Sequence, residues 1–218
     1  EGLKHIYLGT SHSDESILHA IDQHNIADKF YERTSYNSCD VARWLTEGKI
    51  IARFSGRMEF GQRALGNRSI IADPRKFNSV EKINTKVKYR DFWMPFTPTI
   101  MFEDCDNILV NPKGIYSPYM TMAFDLKDEY RDVLPAVVHP SDKTVRPQML
   151  RYKDNPKYYD IINEFKKLTG IGVVLNTSFN LHGDAVVESP DDAIQTFIKS
   201  ELDILLFDNM VISRKVLS

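Results

Sequence analysis

Disulfide pairs, long apolar runs and an excess of charge are all missing from this sequence. The two cysteines, Cys39 and Cys105, provide neither a disulfide framework nor a metal-binding spacing. No apolar run approaches the roughly 20 residues of a membrane span, and no signal peptide is visible, so we expect the cytoplasm. The net charge of −2 gives no global field that would attract nucleic acid or an anionic membrane.

The charge is nevertheless unevenly distributed along the 218 residues. Residues 51–92 carry ten Lys/Arg and four Asp/Glu, a local net charge of +6, whereas the remainder carries −8. A basic patch on an acidic body suits a small anion better than a long polymer. A solvated basic face would account for the same charges.

Most of that charge surrounds the arginine loop, which we define as residues 55–68. Apolar runs at 50–52 and 70–72 flank it and indicate buried strands. Its three glycines allow tight turns and close approach of a ligand. Arginines held near a strand end form a fork-shaped cation site that suits phosphate oxygens, which indicates a nucleotide. The candidates are Arg57, Arg63 and Arg68, and the alternative is surface ion pairs with Glu59 and Asp73.

A second basic stretch is Lys86-Val-Lys88-Tyr-Arg90, directly before a proline-bounded aromatic segment. Lys88 and Arg90 would project to one side if the chain were extended there. At a helix end they would instead complement the helix dipole, and the stretch alone does not separate the two.

A third stretch, residues 175–183, follows a predicted buried strand with Asn176, Thr177, Ser178 and Asn180. Hydroxyl and amide side chains at the carboxyl end of a strand are typical of a ligand loop in an open α/β sheet. A plain turn is the alternative. No Ser–His–acid spacing supports Ser178 as a nucleophile.

A fourth stretch, residues 139–148, adds Arg146 among polar neighbours. A lone histidine such as His139 is more often structural than catalytic. The six histidines show no metal-binding spacing, so the sequence predicts no metal site.

Alternating helices and strands predict a mixed sheet with helices on its faces. Helices are expected at 14–25, from Ser38 or Asp40 to about 48, from Asn78 or Ser79 to about 88, at 156–169 and from Pro190. Strands are expected at 49–54, 69–72, 96–102, 119–125, 144–150 and 173–175, with two more within 203–213 and a loop at 104–118.

Taken together and in this order, these stretches resemble the C-terminal domain of NodU-type carbamoyltransferases. The matches are Tyr7-Leu8-Gly9, the long motif from Gly56 to Ile70, and Leu175-Asn-Thr-Ser-Phe-Asn180. The resemblance covers essentially the whole chain. A weaker similarity to the YrdC-like fold rests on Lys88-x-Arg90 and on Thr177-Ser178-x-Asn180.

The sequence departs from the family pattern at four places. Gln62 stands where proline is usual, Asp91 replaces glutamate, Met94 stands where arginine is usual, and Pro147 follows Arg146. These differences affect individual substrate contacts more than membership of the family.

The resemblance implies an α+β protein, a three-layer YrdC-like domain with a twisted mixed sheet, spanning residues 1–218. Residues 1–35 would lead in from a missing N-terminal actin-like domain that holds a metal. The implied activity is formation of carbamoyl adenylate from carbamoyl phosphate and ATP, with Mg²⁺ accompanying the ATP. Lys88, Arg90 and Arg146 would be catalytic. The substrate-binding set would be Arg57, Arg63, Arg68, Asn176, Thr177, Ser178 and Asn180.

Two alternatives have different functions. A threonylcarbamoyl-adenylate synthase would share the YrdC-like fold, but the motif at 56–70 argues against it. A non-catalytic module for nucleotide or RNA would use the same basic patch, although only Phe54 and Phe60 offer base stacking there.

Overall fold

The structure, a computed structural model, describes residues 5–25, 31–88 and 94–214, and only the backbone of residues 31–33 and 86. The predicted catalytic residue Arg90 and the departure at Asp91 lie outside the described residues.

Seven helices are present in this part of the chain. They are α1 (Asp14–Gln23), α2 (Ser38–Thr46), α3 (Phe77–Ile83), α4 (Cys105–Ile108), α5 (Asp128–Arg131), α6 (Pro156–Thr169) and α7 (Pro190–Lys199). A π-helical turn, Asn84–Lys88, continues α3, and two 3₁₀ turns span Phe102–Asp104 and Tyr152–Asp154.

Side-chain hydrogen bonds and one glycine explain where the long helices begin and end. Ser189 accepts a hydrogen bond from the Asp192 N–H and starts α7 as a capping box. The cap of α2 is Asn37 instead of Ser38 or Asp40, and Asp40 completes the box from within the helix. Gly170, with φ of 79°, ends α6 in the left-handed conformation.

The strands of the described part form a sheet of eight and a sheet of three. They are β1 (Tyr31–Thr34), β2 (Ile51–Phe54), β3 (Arg68–Ala72), β4 (Thr97–Met101), β5 (Leu109–Val110), β6 (Phe124–Leu126), β7 (Thr144–Val145), β8 (Gln148–Leu150), β9 (Val173–Ser178), β10 (Ile204–Leu206) and β11 (Val211–Arg214). The large sheet has the order β1-β11-β10-β2-β3-β9-β4-β8, and the small one β5-β6-β7. Only β10 with β2 and β4 with β8 pair in parallel, so the large sheet is mixed.

Alternate residues of the central strands build a core on each face of the large sheet. Ile51, Ile71 and Val174 point toward α2 and α6. Ala52, Ile70 and Val173 belong to the opposite core, with α1, α7 and the small sheet. Since both faces are covered, the central strands β2, β3 and β9 are buried along almost their whole length, which confirms the predicted mixed sheet between two layers.

Several predicted elements were wrong in detail. The strand expected at 144–150 is two strands in different sheets, because Pro147 lacks the N–H that would continue a ladder. Of the strand expected at 119–125, only residues 124 and 125 lie in a strand, which is β6. The loop expected at 104–118 contains α4 and β5. The edge strand β1 was not predicted.

The lead-in segment lies against the arginine loop. Gly9 N–H donates to the Met58 carbonyl at 2.9 Å, and Phe60 N–H donates to the Ile6 carbonyl at 2.7 Å. The single-domain assignment of residues 1–218, with 1–35 as a lead-in, stays a prediction.

Candidate functional site

One edge of the large sheet collects all four predicted stretches. Strands β2, β9 and β10 end there, and β3, β4 and β8 begin there, because neighbouring strands pair Phe54 with Arg68, Ser69 with Ser178, and Thr97 with Asn176. The arginine loop, residues 175–183 and residues 139–148 therefore leave the sheet side by side.

The root of the arginine loop is organised around Glu59, a buried carboxylate. Its Oε1 accepts hydrogen bonds from the backbone N–H groups of Leu65 at 2.6 Å, Asn67 at 2.8 Å and Arg68 at 3.3 Å. Hydrogen bonds to a charged acceptor are about twice as strong as neutral ones, so this carboxylate fixes the returning half of the loop. The sequence offered Glu59 only as an ion-pair partner of the arginines, and this role was missed.

Two arginines are buried at the same root. Arg68 donates to the carbonyls of Ser55 at 2.9 Å and Gly56 at 3.3 Å, and its guanidinium lies 3.6 Å from the centroid of the Phe54 ring. Burial lowers the pKa of Arg68 from 12.5 to about 10. Arg53 donates to Asn67 Oδ1 at 2.9 Å and also to the Gly66 carbonyl.

Further side chains hold the carbonyls of the loop from the sheet side. Asn176 Nδ2 donates to the Ala64 carbonyl at 3.2 Å, and the Leu65 carbonyl accepts from Tyr7 OH and Gln148 Nε2, both at 2.9 Å. Asn176 Nδ2 also donates to Gln148 Oε1 at 3.3 Å. The predicted residue Asn176 is thus buried between the arginine loop and β8, where it positions the loop.

Asp208, which follows β10, anchors the outgoing half of the loop. Its carboxylate accepts from Ser55 Oγ, from Gly56 N–H at 3.0 Å and from Lys157 Nζ at 3.0 Å. Burial alone would raise the pKa of Asp208, but these hydrogen bonds outweigh it and lower the pKa below its usual value. No motif in the sequence singles out this residue.

The second and third stretches meet at Lys88. Its Nζ donates to Asn180 Oδ1 at 2.5 Å, to the Asn180 carbonyl at 2.9 Å and to Ser178 Oγ at 3.2 Å. Ser178 Oγ donates in turn to Asn180 Oδ1 at 2.7 Å. Residues some 90 positions apart therefore form one polar cluster, at the end of β9 and two residues from Asn176.

Arg63 and Arg146 line one cavity of about 370 Å³, together with Tyr119 and Thr121. Burial, and then the charge of Arg146, lower the pKa of the Arg63 guanidinium. Within residues 5–25, 31–88 and 94–214, no carboxylate forms an ion pair with either arginine. The alternative, surface ion pairs of the loop arginines with Glu59 and Asp73, is not found among the described residues, where Asp73 pairs with Arg75.

The remaining predicted residues lie at the margin of this arrangement. Arg57 is exposed, and its Nη2 donates to the Leu8 carbonyl at 3.1 Å. Thr177 is buried on β9 and faces the opposite side of the sheet from Asn176. The substrate-binding roles predicted for the whole set stay predictions.

The described residues contain no group of three or more His, Cys, Asp or Glu side chains arranged to hold a metal ion. Among their helices, none has the length and apolar character needed to cross a membrane.

Comparison with known proteins gave one family and several relatives. The family model described as "Carbamoyltransferase C-terminus" matches residues 42–214. An uncharacterised protein of Methanocaldococcus jannaschii is 40% identical over 212 residues, which cover 96% of this chain and 34% of that protein. Nodulation protein NolO of Bradyrhizobium diazoefficiens is 38% identical over 185 residues, covering 84% of this chain and 34% of NolO. The chain thus spans about a third of the length of these curated relatives.

Two solved structures share the fold at low sequence identity. Full-length HypF in a phosphate- and nucleotide-bound form has a TM-score of 0.53 and 13% identity, covering 86% of this chain and 23% of HypF. A P. abyssi Sua5 variant has a TM-score of 0.50 and 15% identity, covering 79% of this chain and 50% of Sua5. These likenesses confirm the predicted YrdC-like mixed α/β fold.

Proposed function

Because this chain belongs to the carbamoyltransferase C-terminal family, we propose that it converts ATP and carbamoyl phosphate to carbamoyl adenylate as part of an O-carbamoyltransferase. The observation that carries this proposal is the pair Arg63 and Arg146, two cations that share one cavity with no paired carboxylate among the described residues. Arg63 is half-buried and Arg146 is exposed, and an anion bound between them would relieve the repulsion between the two guanidiniums. Phosphate groups are anions of the right geometry for guanidinium forks.

The cluster of Lys88, Ser178 and Asn180 provides the second part of the site. The Lys88 ammonium donates to Asn180 Oδ1, to the Asn180 carbonyl and to Ser178 Oγ, and we propose that its charge acts on the substrate phosphates. Asn176 lies between this cluster and the arginine pair, because it contacts the Ala64 carbonyl beside Arg63 and precedes Ser178 by two residues. Cations from three stretches can therefore act on one polyanionic substrate pair.

The overall reaction consumes one water. Carbamoyl phosphate and water give carbamate and phosphate, and a carbamate oxygen then attacks the α-phosphorus of ATP. The bond from that phosphorus to the bridging oxygen breaks, and pyrophosphate leaves with the electron pair. The charge that develops on the departing pyrophosphate is stabilised by Arg63, Arg146 and Lys88, and in this proposal by Arg90, without proton transfer from the protein.

Ser178 and Asn180 bind and orient in this scheme. The Ser178 hydroxyl already donates to Asn180 Oδ1 and accepts from Lys88. An acyl-enzyme is unnecessary when the adenylate is itself the activated intermediate. The amide of Asn180 holds this cluster together, because its Oδ1 accepts from Lys88 and Ser178 and its Nδ2 donates to the carbonyls of Leu181 at 3.0 Å and Asp184 at 2.7 Å.

Transfer to a hydroxyl acceptor is assigned to an N-terminal actin-like metal domain of the longer protein. We expect this chain with ATP, Mg²⁺, carbamoyl phosphate and a panel of hydroxyl compounds to yield no efficient O-carbamoylation. Product analysis by mass spectrometry checks this expectation. Metal-dependent carbamoylation by the chain alone would place the second half-reaction here instead.

The test of the proposal is release of pyrophosphate and phosphate in equal amounts when ATP, Mg²⁺ and carbamoyl phosphate are supplied. A coupled assay follows both products, and calorimetry measures ATP binding separately. Full-length HypF, which shares this fold over 23% of its length, was solved in a phosphate- and nucleotide-bound form, which agrees with the proposal. Absence of ATP binding at millimolar concentration in a folded sample would refute it. Binding of RNA that falls steeply with salt would favour the non-catalytic alternative.

A further inference from the structure

Arg146 lines a second cavity, of about 360 Å³, in addition to the cavity that it shares with Arg63. We call this second space the His139 cavity. Of the described residues that line it, only His139, Asp142 and Arg146 have titratable or charged side chains, and the others are neutral. The charge inside this cavity therefore depends on a fixed cation, a carboxylate and one histidine.

The ring of His139 is held by a tight turn of the chain. The His139 N–H donates to the Thr144 carbonyl at 2.9 Å, and Asp142 N–H donates to His139 Nδ1 at 3.3 Å. Because Nδ1 is an acceptor there, a neutral ring carries its proton on Nε2, and a cationic ring carries one there as well. Nε2 is thus an N–H donor in both states, and it has no acceptor within the part of the chain that the structure describes.

Asp142 favours the cationic state of this ring. Its Oδ1 lies 3.1 Å from His139 Nδ1 and accepts hydrogen bonds from Thr144 N–H at 3.0 Å and from Thr144 Oγ1 at 2.8 Å. These two hydrogen bonds lower the pKa of Asp142, so the carboxylate stays ionised. An ionised carboxylate beside Nδ1 stabilises a protonated imidazole, and an anion on the Nε2 side would act in the same direction.

Met94 is the neutral residue of the cavity that matters most for its charge. It lines the His139 cavity and is 48% exposed, and it stands where the family pattern has arginine. An arginine at this position would add a permanent cation to the one at Arg146. Methionine adds no charge, so His139 is the second cationic group that the described lining residues of this cavity offer.

We propose that His139 and Arg146 together bind a phosphate group of the substrates in the His139 cavity, and that protonation of His139 supplies the charge that Met94 lacks. This inference rests on the proposed function, which provides the phosphate groups. A tetrahedral dianion has enough oxygens to accept from Nε2 and from a guanidinium fork at once. Affinity for such an anion should therefore fall as pH rises through the range in which histidine loses its proton.

Calorimetry with sulfate tests this inference without any need for activity, because sulfate keeps its two charges across this pH range. We expect the dissociation constant to rise by about three- to tenfold between about pH 5.5 and 8, the difference between a charged and a neutral hydrogen bond. His139→Gln keeps a neutral donor and should bind at the weaker level at every pH. His19→Gln is the matched control, because His19 is an exposed histidine of α1 that lines neither cavity.

The substitution Met94→Arg tests the exchange of one cation for the other. It should make sulfate binding as tight at about pH 8 as the parent's at about pH 5.5, and nearly independent of pH. In the double variant, His139→Gln should then weaken sulfate by less than about twofold. If Met94→Arg changes neither the pH dependence nor the loss caused by His139→Gln, the two residues do not share an anion and the inference is wrong.

NMR of the parent protein gives a readout that depends on no variant. Sulfate should shift the His139 ring signals and the Met94 methyl signal, whereas Met101, which belongs to the core beneath α6, should not respond. Unchanged His139 and Met94 signals at saturating sulfate would overturn the inference.

The outcomes separate this inference from the proposed function. If pyrophosphate is released from ATP but His139→Gln binds sulfate like the parent at every pH, the inference fails and the proposed function stands. If sulfate binding depends on His139 and on pH but ATP does not bind, the anion site stands and the proposed function fails.

Discussion

The root of the arginine loop, where it joins β2 and β3, and its tip, around Arg63, use arginine in opposite ways. At the root, Arg53 and Arg68 are buried and donate hydrogen bonds to backbone carbonyls and amide oxygens. Toward the tip, Arg63 is half-buried beside Arg146, and neither is paired with a carboxylate in the part of the chain that the structure describes. The root guanidiniums therefore build the loop, and the tip guanidiniums remain available for an anion.

This difference depends on burial and on the available partners. A buried guanidinium needs acceptors for its N–H donors, and a loop that turns back on itself offers carbonyls to Nη1 and Nη2 of Arg68, whose Nε has no hydrogen-bond partner in the described structure. In the described part of the chain, no comparable set of backbone carbonyls accepts hydrogen bonds from Arg63 or Arg146. A rigid root also keeps the tip preorganised, which is a condition for strong binding of a charged ligand.

Removing Arg68, one of the two root arginines, is the most direct test of the comparison. Arg68→Ala leaves the carbonyls of Ser55 and Gly56 without their donor and removes the contact with Phe54. We expect the free energy of unfolding to fall by roughly 3–5 kcal/mol, measured by urea denaturation.

Arg57→Ala is the matched control within the same loop. Arg57 is exposed and donates to the Leu8 carbonyl, so its loss should cost no more than about 0.5 kcal/mol. Equal destabilisation by the two substitutions would show that the root is not structurally distinct.

The sequence predicted the loop and its flanking strands, and the family resemblance named Lys88, Ser178 and Asn180 as site residues. Neither showed that these three contact one another, or which arginines are buried at the root. Apolar periodicity marks β2 and β3, and the motifs mark the loop. Choosing between Arg63 and Arg68 requires the strand register that places Arg68 opposite Phe54. Glu59 and Asp208 were missed for the same reason, since their partners are backbone N–H groups of the folded loop.

At the tip the expected effect is on binding. Arg63→Ala and Arg146→Ala should each weaken ATP and triphosphate binding by about tenfold to a hundredfold, because each loses a charge-assisted hydrogen bond. Melting should be unchanged or slightly higher, since each substitution relieves the repulsion between the two cations. Lysine at position 63 should restore binding only in part, because the bidentate fork is lost. The same result is expected for Arg90→Ala.

Arg43→Ala is the control for charge alone. Arg43 is an exposed arginine of α2, paired with Asp40 at 2.7 Å, and it does not line the cavity of Arg63 and Arg146. If the tip variants bind ATP as tightly as the parent and as Arg43→Ala, the anion site has been misplaced.

A smaller effect is expected at the Lys88 cluster. Ser178→Ala removes one neutral hydroxyl, while Lys88 keeps both of its bonds to Asn180. The rate of pyrophosphate release should fall by about two- to tenfold, in line with one neutral hydrogen bond, and substantial activity should remain. Mass spectrometry should detect no carbamoyl group on Ser178, whereas a covalent adduct there would make this serine a nucleophile.

The smallest expected effect is on the pH dependence of stability, through the carboxyl group of Asp208 at the loop root. Hydrogen bonds from Ser55, Gly56 and Lys157 lower the pKa of this carboxyl in the folded protein below its usual 3.8, despite the opposing effect of burial. Because the folded pKa is the lower one, the unfolded chain binds this proton first as pH falls. The stabilisation is therefore complete above the unfolded value and is lost as pH falls through the folded one. The free energy of unfolding of Asp208→Asn should lie below that of the parent by a constant amount between about pH 5 and 7. This difference should narrow below about pH 4. Urea denaturation at each pH measures it. A difference that widens on acidification would mean that Asp208 does not hold the root as a carboxylate.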